Sequence, residues 1–292
     1  MPQVLSLLVD PANARLDRPL VDGIRTVLGN AGQPDWLALD VACDIPVADD
    51  ADLAAIRHAI GDAPVDANLI PTAARRKRLL IADMDSTVVT TETLDEIAAY
   101  AGLKEVIAPI TRRSMNGEID FPTALRERVA MLKGLAVGAL QKTLDATELT
   151  PGATTLVQTM KRGGALTALV SGGFTFFTGP IGRQCGFDLD RSNVLGVADG
   201  KLTGELVGPI LDKTAKLESL KELSTRQNLA LAETITVGDG ANDLDMLGAA
   251  GLGVAFHAKP VVNAETRVQV RHGDLTALLY LQGYRRDEFV TS

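Results

Sequence analysis

The sequence predicts an α/β protein: a parallel, Rossmann-like sheet core covered by helices, with a helical cap inserted into it and a small α+β module in front. Three observations predict it. Four apolar runs, LLIAD, ALTALVS, TITVGD and GLGVAF, are each followed by a helical stretch, the pattern of strands buried on both faces. About 75 residues of largely helical character separate the first run from the second, too many for a simple crossover. Ahead of these runs, the first ~70 residues alternate strand and helix signals of their own.

Residues 1–74 are expected to form the leading module. VLSLLVD reads as a strand, DRPLVDGIRTVLGNAG as a helix, the stretch around DWLALDVAC as a strand, DADLAAIRHAIGD as a helix and VDANLIP as a closing strand. Two βα units of this size resemble the ferredoxin-like (ACT-like) arrangement of amino-acid-sensing domains, and the expected role is regulatory or dimerising, which would make the protein a homodimer. Pro71 and the basic run RRKR at 75–78 follow; with the overall acidity, a solvated linker is the better reading of that run than a nucleic-acid patch. Residues 75–292 are assigned to the sheet domain, with the cap at about 90–150 in the segments TETLDEIAAYAGL, VIAPITRRSMNG, FPTALRERVAMLKGL and VGALQKTLDAT. A cap over strand ends can exclude water and select a substrate.

Composition narrows the function. A chain of 292 residues that is 46% hydrophobic can bury a substantial core. A formal net charge of -8 and a sequence pI near 5.0 argue against a nucleic-acid partner, because phosphate backbones are held by Lys and Arg. Cys43 and Cys185 lie far apart and in no metal-ligand spacing, so they read as thiols in a reducing compartment. The N-terminal apolar run is short and has no basic region before it, and no apolar stretch reaches the ~18 residues of a membrane span. The expectation is a soluble, cytoplasmic protein without a membrane partner.

Ligands of open parallel sheets bind beyond the carboxyl ends of the strands, and each run delivers chemistry there. The first gives Asp83 and Asp85, which share a face because they lie two apart. Buried carboxylates this close repel one another and lose hydration, which implies a cation or a raised pKa. The second gives Ser171, Gly172 and Gly173 at the expected start of a helix, suited to a phosphate. The third gives GDGANDLDM, with Asp239, Asn242 and Asp243, and the helical DKTAKLESLKEL upstream offers Lys213 and Lys216. Carboxylates without histidine or cysteine make a hard oxygen site of the kind that holds Mg²⁺. With no Walker loop, a carboxylate is the obvious nucleophile for phosphoryl transfer.

DMDST, the serine at 171, a lysine upstream and GDGAND, in this order, resemble the motifs of the haloacid dehalogenase superfamily over roughly residues 79–280, and within it the branch that acts on phosphoserine. The resemblance implies that Asp83 is the nucleophile and Asp85 the general acid and then base. It implies Mg²⁺ held by the Asp83 carboxylate, the Asp85 backbone carbonyl and Asp239. Ser171, the Gly172 amide and Lys216, chosen over Lys213 by the family's spacing, would hold phosphoryl oxygens. Asn242 would lie close by and Asp243 would contact metal-bound water or the lysine. Glu92 would take the substrate ammonium and Arg128 its carboxylate, the latter well served by a bidentate fork. Met115 and Phe121 would close over the substrate. The implied reaction is hydrolysis of O-phospho-L-serine, the last step of serine biosynthesis.

The same residues admit plainer readings. Glu92 and Arg128 fall on expected helices, where charges usually form solvated faces; Asp243 and Asp245 could favour a helix N-terminus; His257 reads as a loop residue, and Lys259 and Pro260 as structural. Two rival functions remain: action on another small phosphate ester, or transfer to an acceptor alcohol such as homoserine, and a regulatory ligand-binding protein without turnover.

Overall fold

The computed structural model describes residues 2–29 and 31–291. It contains two sheets. The N-terminal one is antiparallel, with strands β1 (Gln3–Leu8), β2 (Asp35–Ala38), β3 (Ala42–Val47) and β4 (Asp66–Pro71) in the order β2-β3-β1-β4. Two helices, α1 (Arg18–Leu28) and α2 (Leu53–Ile60), cover it. Each helix begins where the sequence supplies a cap: Asp17 accepts from the Leu20 amide at 2.8 Å, and Asp52 from the Ala54 and Ala55 amides at 2.8 and 3.1 Å. DWLALDVAC is not one strand. It folds back on itself, with Asp40 at φ 60 in the turn between β2 and β3, a left-handed conformation that Asp tolerates better than most residues.

Both faces of this small sheet are buried. Leu5, Leu7, Cys43 and Ile45 pack with Val21, Ile24 and Ile56 of the module's own helices, whereas Val4, Leu8, Ala42 and Ile70 join the core of the larger unit. That explains why β1 reads as a continuous apolar run instead of alternating. Each large aliphatic side chain so buried contributes about 1.5–3 kcal/mol.

The second sheet has seven strands in the order β11-β10-β9-β5-β6-β7-β8. Along the chain come β5 (Leu79–Ala82), helices α3 (Thr93–Ala99), α4 (Lys104–Met115), α5 (Phe121–Met131), α6 (Gly138–Ala146) and α7 (Ala153–Arg162), β6 (Leu166–Phe174), α8 (Thr175–Cys185), β7 (Leu189–Ala198), β8 (Lys201–Val207), α9 (Lys213–Arg226), β9 (Thr234–Gly238), α10 (Leu244–Ala249), β10 (Leu252–Phe256), α11 (Pro260–Glu265), β11 (Val268–Val270) and α12 (Ala277–Leu281). All neighbours pair in parallel except β7 and β8. Helices α3 to α6 form the inserted cap between β5 and α7. Central strands are fully buried: Leu79, Leu80, Ile81 and Ala82 have no exposed surface.

Three strands, β7, β8 and β11, were not anticipated from the apolar runs. β7 and β8 form a half-exposed antiparallel hairpin at the sheet edge, so they lack the continuous apolar signature of the buried strands. β11 is three residues long.

The RRKR run is not a solvated linker. Arg75 grips Asp44 with both terminal nitrogens, at 2.5 and 3.0 Å, and donates to the carbonyls of Leu281 and Tyr280 at 2.9 and 3.1 Å. Lys77 is buried, its ammonium satisfied by the carbonyls of Ala74 and Ala232. Further along the same contact, Asp66 accepts from the amides of Arg271, His272 and Gly273 at 2.8, 3.1 and 2.9 Å. The Asn68 side chain bonds the backbone of Gln269 in both directions, at 2.8 and 2.9 Å. Asn68 thereby satisfies the edge of β11 as a paired strand would. Both cysteines are buried free thiols. Among the described residues no helix is long and apolar enough to cross a membrane.

Candidate active site

The site is assembled at the carboxyl ends of β5, β6 and β9. The Asp83 amide donates to Val237 O at 3.0 Å, so the pairing of β5 with β9 runs one residue past the strand and fixes the Asp83 backbone. The chain then makes a wide helical turn over Met84–Val88, with Ser86 at φ 53. This turn carries Asp85 away from the strand line. Asp83 Oδ1 accepts from the Met84 amide at 2.8 Å, and Asp85 Oδ1 accepts from the Thr93 amide at 2.9 Å. The two carboxylates face one cavity, but from different backbone geometry.

Their electrostatic surroundings differ too. Burial, reinforced by Glu92 and Asp83 and opposed by the Thr93 bond, pushes the Asp85 carboxyl up to about 8, so it keeps its proton near neutral pH. Asp83 is paired: Lys216 Nζ stands 2.9 Å from its Oδ2 and 2.6 Å from Asp243 Oδ1. Lys216 has no exposed surface. Burial alone would lower its pKa, but the charges of Asp243 and Asp83 outweigh that and hold it above the ordinary lysine value. Lys213 lies outside, 4.0 Å from Asp245 at the surface.

Close approaches at glycine shape the pocket. A Cβ on Gly238 would fall 2.3 Å from the Asp243 carboxyl carbon, and one on Gly172 would fall 2.5 Å from Phe121 Cζ. Only glycine lets the strand ends come this near. Ser171, fully buried, accepts from the Gly173 amide at 2.9 Å, and Asn193 fixes the Gly172 carbonyl at 2.8 Å. Here the structure differs from the expectation of a helix start at Ser171: β6 continues to Phe174 with a register shift against β7, and α8 begins only at Thr175.

A cavity of about 30 Å³ is lined by Asp83, Asp85, Ser171, Gly172, Asp239 and Asn242 from the core and by Glu92, Met115, Phe121 and Arg128 from the cap. Glu92 precedes α3 instead of lying on it; its Oε1 accepts from Ser86 Oγ at 2.7 Å, and burial raises its pKa. Arg128 is on α5 but is buried, 3% exposed, so the solvated-face reading does not hold for it. Lys216 and Asp243 lie directly behind this lining, where the Lys216 ammonium touches Asp83.

Oxygens of Asp83, Asp239 and Asp243 lie within 4.8 Å of one another. The Asp85 carboxylate is turned to Thr93 and is not among them. Burial first, then Glu92, raises the Asp239 pKa well above the ordinary carboxylate value. Asp239 Oδ2 and Asn242 Oδ1 are buried without a hydrogen-bond donor, although Lys259 Nζ approaches Asp239 Oδ2 to 3.2 Å. Hard oxygen donors in excess of nearby cations, with orphaned acceptors among them, fit a divalent metal ion.

The haloacid dehalogenase-like hydrolase family model matches residues 80–248. The chain belongs to the haloacid dehalogenase-like hydrolase family. Within this hydrolase family it is 44% identical to a phosphoserine phosphatase of Streptomyces coelicolor over 214 residues, covering 73% of this chain and 52% of that protein. It is 46% identical over 210 residues to a phosphoserine phosphatase of Polaromonas sp., covering 70% of this chain and 89% of that one. A solved substrate-bound phosphoserine phosphatase complex superposes with a TM-score of 0.68 at 38% identity, covering 70% of this chain and 98% of the other. The chain thus spans about half the length of its Streptomyces relative.

Lys259 stands closer to the site than its sequence context suggests. Lys259, read as structural, donates its backbone amide to Asp239 O at 2.9 Å and brings its ammonium to the same residue. The available signal was position: it lies just past the carboxyl end of β10, the strand beside β9.

Proposed function

We propose that this hydrolase cleaves O-phospho-L-serine to L-serine and phosphate, with Asp83 as nucleophile and Mg²⁺ as its metal. One observation carries the choice of substrate. Glu92 and Arg128, groups of opposite charge, line the same cavity as Asp83 and Ser171, and a phosphorylated amino acid presents an ammonium, a carboxylate and a phosphate to match.

In this reading Ser171, the Gly172 amide, Lys216 and Asn242 hold the phosphoryl oxygens. An Asp83 oxygen attacks phosphorus, forming a new P–O bond as the ester bond to serine breaks. Asp85, protonated because it is buried, gives its proton to the departing oxygen. It then takes a proton from water, which attacks phosphorus and releases phosphate from Asp83. When bound by Asp83, the Asp85 carbonyl and Asp239, Mg²⁺ supplies charge neutralisation at the phosphoryl group. Asp243 supports this arrangement by holding Lys216.

A cavity of about 30 Å³ has room for only a couple of water molecules. The cap must therefore move to admit substrate, with Met115 and Phe121 closing behind it. Phosphate release should be measured from O-phospho-L-serine beside phosphothreonine, sugar phosphates and nucleotides. The reading predicts metal-dependent release that favours phosphoserine; equal release from all esters would remove the roles of Glu92 and Arg128.

We further infer that residues 1–74 are a regulatory or dimerising module. The reading is supported by a physical route: Asp66 holds the Gly273 amide, Gly273 O meets His257 Nε2 at 2.8 Å, and His257 lies two residues before Lys259, the neighbour of Asp239. Light scattering and serine inhibition, each measured on the full chain and on Asp66→Ala, test it; a monomeric mass with no serine response in either protein would contradict it.

A further inference from the structure

Arg128 is a buried guanidinium that has no direct carboxylate partner among the described residues. Its Nε donates to Ala124 O one turn back at 3.1 Å, and its Nη1 donates to the Thr111 hydroxyl at 2.8 Å. That hydroxyl in turn donates to Asp95 Oδ1 at 2.6 Å. Asp95 and Thr111 are 8% and 3% exposed. The three residues come from α3, α4 and α5, so one hydroxyl ties together three cap helices.

The polarity of this chain is consistent throughout. A cation donates to the hydroxyl and the hydroxyl donates to an anion, so each bond strengthens the other. A carboxylate touching Arg128 directly would occupy the fork and compete with any ligand carboxylate. Placing a hydroxyl between them keeps the negative charge near enough to stabilise a buried guanidinium while leaving Nη2 outside these two bonds. Arg128 also lines the cavity that holds Asp83.

We propose that Asp95 and Thr111 are positioning residues that aim the Arg128 guanidinium at the substrate carboxylate and thereby set the preference for a phosphorylated amino acid. The proposal rests on the assignment of Arg128 to the substrate carboxylate. Asp95 and Thr111 touch neither the phosphoryl group nor the reacting atoms. Their effect is therefore confined to esters that carry a carboxylate, and it falls on KM more than on kcat.

The test compares O-phospho-L-serine with phosphoethanolamine, which keeps the ammonium and phosphate and lacks the carboxylate. Arg128→Ala, Thr111→Val, Thr111→Ser and Asp95→Asn are assayed in the full chain, with a thermal melt for each. Thr111→Val should lower kcat/KM for phosphoserine about tenfold, mostly through KM, as expected for loss of a charge-assisted hydrogen bond. Phosphoethanolamine turnover should hold, and Thr111→Ser, which keeps the hydroxyl, should restore phosphoserine turnover. Asp95→Asn should act like Thr111→Val. If Arg128→Ala discriminates between the two esters and Thr111→Val and Asp95→Asn do not, the positioning role is overturned and the substrate reading stands. If Arg128→Ala lowers both equally, both fall.

Discussion

Lys216, with no exposed surface, places its ammonium 2.9 Å from Oδ2 of Asp83. A cation buried this completely is held by its anions, and it shares itself between Asp83 and Asp243, 2.6 Å away. Asp83 is therefore positioned from α9 as well as from its own strand.

Removing that ammonium should be costly to fold and function together. Lys216→Met keeps the length and burial of the side chain but leaves two buried carboxylates without their shared partner. Unfolding titrations should show a loss of about 3–5 kcal/mol, the range for breaking a buried pair by deleting one member. Phosphate release should fall below detection. A variant with wild-type stability would mean that Asp83 and Asp243 are relieved some other way.

Chelation should reach the fold as well as the activity. Asp83, Asp239 and Asp243 crowd their oxygens within 4.8 Å, and a bound divalent ion offsets that repulsion. EDTA should abolish turnover and lower the melting temperature, and Mg²⁺ should restore both. The stabilisation should grow with Mg²⁺ concentration as for any ligand of the native state. A melting temperature indifferent to EDTA and Mg²⁺ would count against a metal at these residues.

The seam between the two sheets makes a separate prediction. Asp66 accepts from three consecutive amides, those of Arg271, His272 and Gly273. Asp66→Ala leaves these donors unmatched, at about 1–3 kcal/mol for each that water cannot reach. Hydrogen exchange should quicken first at residues 271–273, while the amides of β5 and β9 stay protected.

Both thiols should be silent in the native protein. Burial, first, then the charges of Asp44 and Asp35 push Cys43 up to about 12, and burial pushes Cys185 up to about 11. At pH 8 the thiolate fraction of each is therefore small, and the thiolate is the reactive form. Iodoacetamide at pH 8 should label neither residue in hours, and both promptly in denaturant. Fast native labelling of either would show local opening around it.

What the sequence makes legible follows how local each signal is. Asp83, Ser171 and Asp239 sit at the ends of continuous apolar runs, which deliver them to one edge, whereas Asp85 reaches the cavity through the turn over Met84–Val88 and Asn242 through the turn after β9. The split of DWLALDVAC is hidden because its turn uses Asp40 at φ 60 and no glycine marks it. The hairpin of β7 and β8 has a turn marker in Asp199 and Gly200, at φ 50 and 71, a pair typical of two-residue hairpin turns, but its strands are half exposed and lack an apolar run. Arg75 looks solvated because its partners Asp44 and Leu281 lie 31 and 206 residues away. The same distance effect conceals the link from Thr111 to Asp95 and Arg128, since charges on helices read as surface until neighbouring helices bury them.

The most direct test of the account is to catch phosphate on Asp83. The enzyme with Mg²⁺ is mixed with phosphate-labelled O-phospho-L-serine, quenched in acid within milliseconds, digested and mapped, alongside Asp83→Asn. Attack by Asp83 should leave hydroxylamine-sensitive label on the peptide carrying LLIADMDSTVV, and neither label nor turnover in Asp83→Asn. Turnover by Asp83→Asn at the wild-type rate, or label on a different residue, would contradict it.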